Sequence, residues 1–182
     1  MRLFIAIGLP ADIRAAFDRD NRKLRQSCSR GSFSREENLH LTLCFLGETP
    51  PERVSAVTGA MDSVSSPPIA LTIGDPGIFR SREGGTLWRS VDGGPALLKL
   101  QSALSDALAG DGFAMESRKY TPHLTAARRV VLREGVSVRA LAEGCTPLSF
   151  TAREITLFLS EQKNGVRVYT PLYRKALSGA GD

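Results

Sequence analysis

No stretch of this chain approaches the ~20 consecutive apolar residues that a bilayer span requires. The longest apolar runs, such as Phe4 to Leu9, are far shorter, so a membrane-spanning helix is not expected. The start, Met1-Arg2-Leu3-Phe4, enters a strand-like run at once and lacks a signal-peptide pattern. Cysteine is scarce and odd in number: Cys28, Cys44 and Cys145, with no Cys-x-x-Cys spacing. That usage predicts reduced thiols, a cytoplasmic location and no structural metal. Histidine is scarcer still, with only two in 182 residues.

What is present is ordinary globular material. Apolar residues make up 42% and charged residues 24% of the chain, which excludes a disordered tail and a coiled coil. A chain of this length buries roughly 70% of its unfolded surface, so it needs no disulfide or metal to fold. The net charge of +5 favours an anionic partner, although many basic proteins bind none.

Periodicity predicts two similar halves. Arg2 to Leu9 reads as a strand stopped by Pro10, and Ala11 to Gln26 as a helix with Ile13, Ala16, Phe17 and Leu24 on one face. Ser27 to Arg35 reads as a loop, Asn38 to Leu46 as a strand, and the segment after Pro51 as a helix. Ile69 to Phe79 reads as a strand kinked at Gly74-Asp75-Pro76-Gly77. The plan then restarts: strand Thr86 to Val91, helix Pro95 to Ala109, strand Tyr120 to Ala127, a short helix in Arg133 to Glu143, strand Leu148 to Leu159. Asn164-Gly165 is a turn signal before a closing strand from Val166 to Tyr173. The expectation is one bilobal domain over 1–182, with half-repeats of roughly 1–85 and 86–175 and a frayed tail at 178–182.

The halves share a tripeptide. His40-Leu41-Thr42 and His123-Leu124-Thr125 open the second strand of each, 83 positions apart. The spacing from Phe4 to His40 is 36 positions and from Trp88 to His123 is 35. With 22 leucines and 11 threonines in the chain, both histidines precede Leu-Thr by chance with a probability of roughly 5 in 100,000. This is an internal duplication, not a short-period solenoid.

Strand alternation places His40 with Thr42, and His123 with Thr125, on one face, and sends Leu41, Leu43, Leu124 and Ala126 into apolar packing. Two imidazoles with ordinary pKa values near 6.5 can act as an acid and a base at neutral pH. Threonine hydroxyls can donate to phosphate oxygens. In-line displacement at phosphorus needs acid and base on opposite sides, and a rough two-fold relation supplies that. Two histidines without carboxylates make a poor metal site, so neither metal nor cofactor is expected.

The stretches Glu37 to Leu43 with Phe45-Leu46-Gly47, and Tyr120 to Arg128, resemble the two signatures of the two-histidine phosphoesterases. More narrowly they resemble the RNA 2′,3′-cyclic phosphodiesterases, also called 2′-5′ RNA ligases. Arg2 to Ile7, Leu159-Ser160, Gly165 and Tyr169 also fit. The resemblance implies an α+β fold with two antiparallel sheets flanked by helices around a central groove. It implies hydrolysis of RNA 2′,3′-cyclic phosphate ends to 2′-phosphate, with 2′-5′ ligation as the reverse reaction. It further implies His40 as proton donor and His123 as proton acceptor. Two positions depart from the pattern: Ala126 replaces a larger aliphatic, and Tyr120 stands where Phe is commoner.

Other residues carry weaker signals. Thr42, Thr125 and Arg128 are candidate phosphate ligands, although Arg128 needs a bend at Ala127 to reach the face of His123. Phe45 and Trp88 are candidates for base stacking, with core packing the commoner role for each. Arg22, Lys23, Arg25 and Arg30 form a basic run that reads first as a solvated helix face, and the loop Ser81 to Gly85 as a groove rim or an ordinary hairpin. Two other functions compete: a cyclic phosphodiesterase for a small nucleotide such as ADP-ribose cyclic phosphate, and an RNA-binding module without turnover. A monomer is expected.

Overall fold

The structure, a computed structural model, describes residues 1–179; the last three residues of the expected frayed tail lie outside the described residues. The strands are β1 (Arg2–Gly8), β2 (Cys28–Phe33), β3 (His40–Glu48), β4 (Ile69–Phe79), β5 (Gly85–Asp92), β6 (His123–Leu132), β7 (Leu148–Ala152), β8 (Glu154–Lys163) and β9 (Val166–Ala176). The helices are α1 (Ala11–Gln26), α2 (Val54–Ser63), α3 (Gly94–Gly110) and the five-residue α4 (Val138–Ala142). Short 3-10 turns at Glu36–Asn38 and Pro51–Arg53 lead into β3 and α2.

Among the described residues the strands form one hydrogen-bonded path, β7-β4-β5-β6-β3-β1-β8-β9, with β2 beside β6. All pairings are antiparallel. The two arms of the path join at one residue pair, Leu41 with Leu124. The two expected sheets are therefore one curled sheet pinched where the two tripeptides meet. The arms do not follow the sequence halves: β4 lies in the arm of β5 and β6, while β8 and β9 flank β1.

Helix α1 buries Ile13, Phe17, Asp20, Asn21 and Leu24 on one face, the 3.6-residue stripe read from sequence but with two polar members. Asp20 accepts from buried Arg89 of β5 at 2.8 Å and from the backbone N–H of Thr146 at 3.0 Å. Arg89 also donates to the carbonyls of Gly74 and Thr146 at 2.8 and 2.7 Å, so this buried ion pair has its hydrogen bonds met. Helix α3 buries Leu97, Leu100, Leu104 and Leu108, as its periodicity predicts.

Three local readings change. Ser27 to Arg35 is not a loop: β2 pairs with β6 there, which polar side chains permit because four of its six residues are exposed. The single strand read over Leu148 to Leu159 is two, β7 and β8, parted at Arg153. The second motif strand starts at His123 and runs on to Leu132. The kink in β4 is a register shift between Ile73 and Pro76. Asn164 and Gly165 both adopt positive φ, 51° and 77°, the conformation a two-residue hairpin turn between β8 and β9 requires.

Candidate active site

The Leu41–Leu124 bridge sits at the centre of both tripeptides. Both leucines are buried, at 1% exposure, and face the core with Leu43 and Ala126; the two histidines and two threonines face the groove, as alternation predicts. Because the strands run antiparallel, His40 lies beside Thr125 and Thr42 beside His123. The imidazoles thus occupy diagonal corners of a four-residue patch. That is the placement in-line displacement asks of an acid and a base.

Each histidine is oriented in the same way. The Nδ1 of His40 lies 2.8 Å from the Asn38 carbonyl, and the Nδ1 of His123 lies 2.7 Å from the Thr121 carbonyl. A carbonyl only accepts, so Nδ1–H donates and Nε2 is left to face the groove. The Asn38 side chain donates to the Arg167 carbonyl at 2.8 Å, tying the approach to His40 onto β9. His40 is packed among Phe4 at 4.8 Å, Tyr169 at 5.1 Å and Phe158 at 6.5 Å between ring centroids. His123 has Phe79 at 5.1 Å and Trp88 at 6.1 Å. The pKa of His40 is lowered to about 4: burial lowers it most, the Asn38 hydrogen bond opposes this, and the Arg128 and His123 charges add to the lowering.

The motif strands are cross-braced. Tyr120, just before the second motif, donates its hydroxyl to the Thr42 carbonyl of the first at 2.8 Å. Ser34, before the first motif, donates to the Thr125 carbonyl of the second at 2.7 Å. The Tyr120 hydroxyl therefore serves the scaffold, and burial raises its pKa.

Strand alternation alone points Arg128 away from His123, and the structure turns it back. Strand β6 carries an extra residue against β5 between Thr125 and Ala127, and again between Ala127 and Val130. Ala126 and Ala127 are consecutive buried residues, so the alternation breaks there. The small side chain at 126 fits this bulge. Arg128 and Arg129 then both stand exposed on the groove. Arg129 adopts φ 53°, a left-handed conformation costing a side-chain-bearing residue about 1–2 kcal/mol.

Two cavities flank the histidines. One, of about 530 Å³, is walled by His40, Thr42, His123 and Thr125 together with Arg35, Arg128, Arg129 and Arg167. The other, of about 500 Å³, shares Thr42, His123, Thr125 and Arg128 but has Phe45, Phe79, Met115 and Tyr120 in its walls. Both volumes suit nucleotide-sized groups. Phe45 lines the second cavity under the Arg2 guanidinium. Trp88 lines neither cavity; it packs behind His123 and Phe79, with its indole N–H buried and unpartnered. The aromatic that reaches the groove there is Phe79, which the sequence reading passed over.

The remaining candidates fall elsewhere. Arg22 pairs with Asp18 and Lys23 with Asp20, Arg25 lies over Phe33, and Arg30 donates to the Glu83 carbonyl; the basic run is a structural face. Arg80, Ser81 and Gly85 border a third, separate cavity. All three cysteines are free, with burial raising each thiol pKa. Among the described residues no three His, Cys, Asp or Glu side chains gather as a metal site, and no helix is long and apolar enough to cross a membrane.

A curled antiparallel sheet with paired His-x-Thr strands at its pinch defines a two-histidine phosphoesterase-type scaffold. The chain belongs to the 2′-5′ RNA ligase superfamily, whose family model matches residues 12–164. It is 32% identical over 179 residues to the RNA 2′,3′-cyclic phosphodiesterase of Escherichia coli K12, covering 97% of each chain. It is 30% identical over 131 residues to the RNA 2′,3′-cyclic phosphodiesterase of Thermotoga maritima, covering 70% of each. The crystal structure of E. coli LigT complexed with 3′-AMP superposes with a TM-score of 0.78 at 32% identity, over 97% of this chain and 98% of that one.

Proposed function

We propose that this protein hydrolyses 2′,3′-cyclic phosphate ends of RNA to 2′-phosphates, with His40 and His123 as general acid and base. The observation that carries the reading is the junction at Leu41–Leu124, which brings two oriented imidazoles and two threonines to one patch beside Arg128. The activity named for the E. coli and T. maritima relatives agrees with it.

In this reading Thr42, Thr125 and Arg128 hold the non-bridging phosphate oxygens and stabilise the charge that grows on them. Neutral His123 takes a proton from water as the water oxygen bonds to phosphorus. The P–O3′ bond breaks, and protonated His40 delivers a proton to the departing 3′ oxygen. Burial and Arg128 keep His40 neutral in the free protein at pH 7, so the substrate's own anionic phosphate must charge it. With a 5′-hydroxyl in place of water, the same groups would join two RNA ends: the 5′ oxygen bonds to phosphorus as His123 takes its proton, the P–O3′ bond breaks with a proton from His40, and a 2′-5′ linkage remains.

The test is an assay of RNA carrying a 2′,3′-cyclic phosphate, with the product phosphate located by ³¹P NMR and with EDTA present or absent. A 2′-phosphate product at a rate unaffected by EDTA supports the reading. A 3′-phosphate product, or binding without turnover, removes it.

A further inference from the structure

We propose that Arg35, Arg129 and Arg167 form a subsite for the phosphodiester phosphate immediately 5′ of the reacting end, so that this chain selects oligonucleotide ends over mononucleotides. The inference rests on the hydrolytic reading above and adds a determinant of substrate length to it.

The cavity on the His40 side is walled by four arginines, these three and Arg128, and none of its lining residues is a carboxylate. Arg128 is already committed to the reacting phosphate, which also has both threonines and both imidazoles. The other three charges are therefore in excess of what one anion needs. Their local partners are weak or neutral: Arg35 lies 3.7 Å from exposed Glu37, a surface pair worth little. Arg167 donates to the Ser160 hydroxyl at 3.2 Å. Arg129 has no ion-pair partner among the described residues, and nothing in the packing uses its charge.

The chain nevertheless holds Arg129 in place against a backbone preference. Its φ of 53° is left-handed, and strain of this kind persists where the surroundings impose it and clusters at ligand sites. Gly84 makes the room: a Cβ there would lie 3.0 Å from the Arg129 carbonyl carbon and 3.1 Å from its oxygen. The bulge sets two consecutive arginines outward between buried Ala127 and buried Val130. Regular alternation would have turned one of them inward.

The three arginines line the same cavity as the four motif residues, where the next phosphate along a strand would lie. A 2′,3′-cyclic mononucleotide brings one anionic group, whereas a chain end brings a second at the preceding linkage. The opposite cavity, with Phe45, Phe79 and Met115, offers the apolar wall a terminal base needs. The base then lies on that side, and the 5′ strand leaves over the arginines. A nucleotide diphosphate could present a second anion too, so the test includes one.

The experiment compares kcat/KM for 2′,3′-cyclic AMP, a trinucleotide ending in 2′,3′-cyclic phosphate, and ADP-ribose cyclic phosphate, each across a series of NaCl concentrations. Wild type should prefer the trinucleotide, and its rate should fall more steeply with salt, by about 0.7 in log–log slope per extra phosphate contact. Arg129→Asn, whose side chain tolerates left-handed backbone, and Arg167→Gln should each cut the trinucleotide-to-mononucleotide ratio roughly tenfold, the usual worth of a charged hydrogen bond. An unchanged ratio and salt slope in both variants overturns the subsite. So does a ratio that falls for ADP-ribose cyclic phosphate and not for RNA. A structural role for Arg129 would slow all three substrates equally, together with a lower unfolding temperature, and would overturn it as well. If wild type turns over none of the three, the hydrolytic reading fails first, and the subsite fails with it.

Discussion

Substrate binding should charge His40, and the structure sets how much energy that takes. With its pKa pushed down to about 4, about one His40 in a thousand carries a proton at pH 7. A proton donor must be charged, so the complex has to raise this pKa by about 3 units, or about 4 kcal/mol. One negative charge about 4 Å away at an effective dielectric near 20 supplies about 4 kcal/mol, so a single phosphate is sufficient. The assay is NMR titration of the two imidazoles, free and saturated with 2′-AMP as product. Free His40 should titrate near 4, and bound His40 near neutrality. Calorimetry at pH 7 in buffers of different ionisation enthalpy should register uptake of about half a proton on binding. Arg128→Gln should raise the pKa of free His40 by removing a repelling charge, while weakening the ligand. A His40 that stays neutral in the saturated complex would refute the reasoning and hand the donor role to His123.

His40→Ala and His123→Ala should each lower kcat by about 10² to 10⁴, and the double variant by much less than the product of the two, because acid and base act as one unit. Steady-state rates with circular dichroism as a folding control decide this. Tyr120→Phe and Ser34→Ala each remove one brace between the motif strands; each should cost about 1 kcal/mol in urea unfolding and reduce kcat more than it raises KM. Asp20→Ala leaves the buried Arg89 guanidinium unpaired, which should cost about 3–5 kcal/mol and lower Tm by roughly 6–20 °C. Adding Arg89→Met should recover part of that loss in the same calorimetric scan.

The candidate site was legible because the side chains that compose it include the rarest residues of the chain. Two histidines in identical tripeptides need no tertiary knowledge to be noticed, and strand alternation alone assigns their faces. The arginines were not legible in the same way. Arg128 stands on the wrong face by simple parity, which would present Arg129 alone, and the two extra residues in β6 bring both to the groove. Arg35 and Arg167 reach the cavity from a loop and a hairpin that lie far apart in the chain. Strand β2 was missed because its exposed residues carry no apolar alternation; what holds it is backbone pairing to β6. Asp20 interrupts the apolar stripe of α1, and that interruption was the sequence trace of its partner Arg89.

A groove between two arms could open like a hinge, and a hinge would spoil the proposed acid–base pair, whose members come one from each arm. The chain counters this by lacing each arm with elements that leave the other. Helix α1 follows β1 yet packs against β7, and its Asp20 holds Arg89 of β5. Helix α3 follows β5 yet packs on α2 and β3, and its Gln101 reaches the Leu43 carbonyl at 3.5 Å. Arg53, at the start of α2, lies over Phe113 at 4.2 Å and donates to the Asp111 carbonyl beyond α3. Each helix crossover makes the chain of one arm part of the other arm's packing, and the Tyr120–Thr42 hydrogen bond ties the two motif strands directly. The placement of the imidazoles is therefore set by packing on both arms as well as by the backbone bridge at Leu41–Leu124 between the two motif strands.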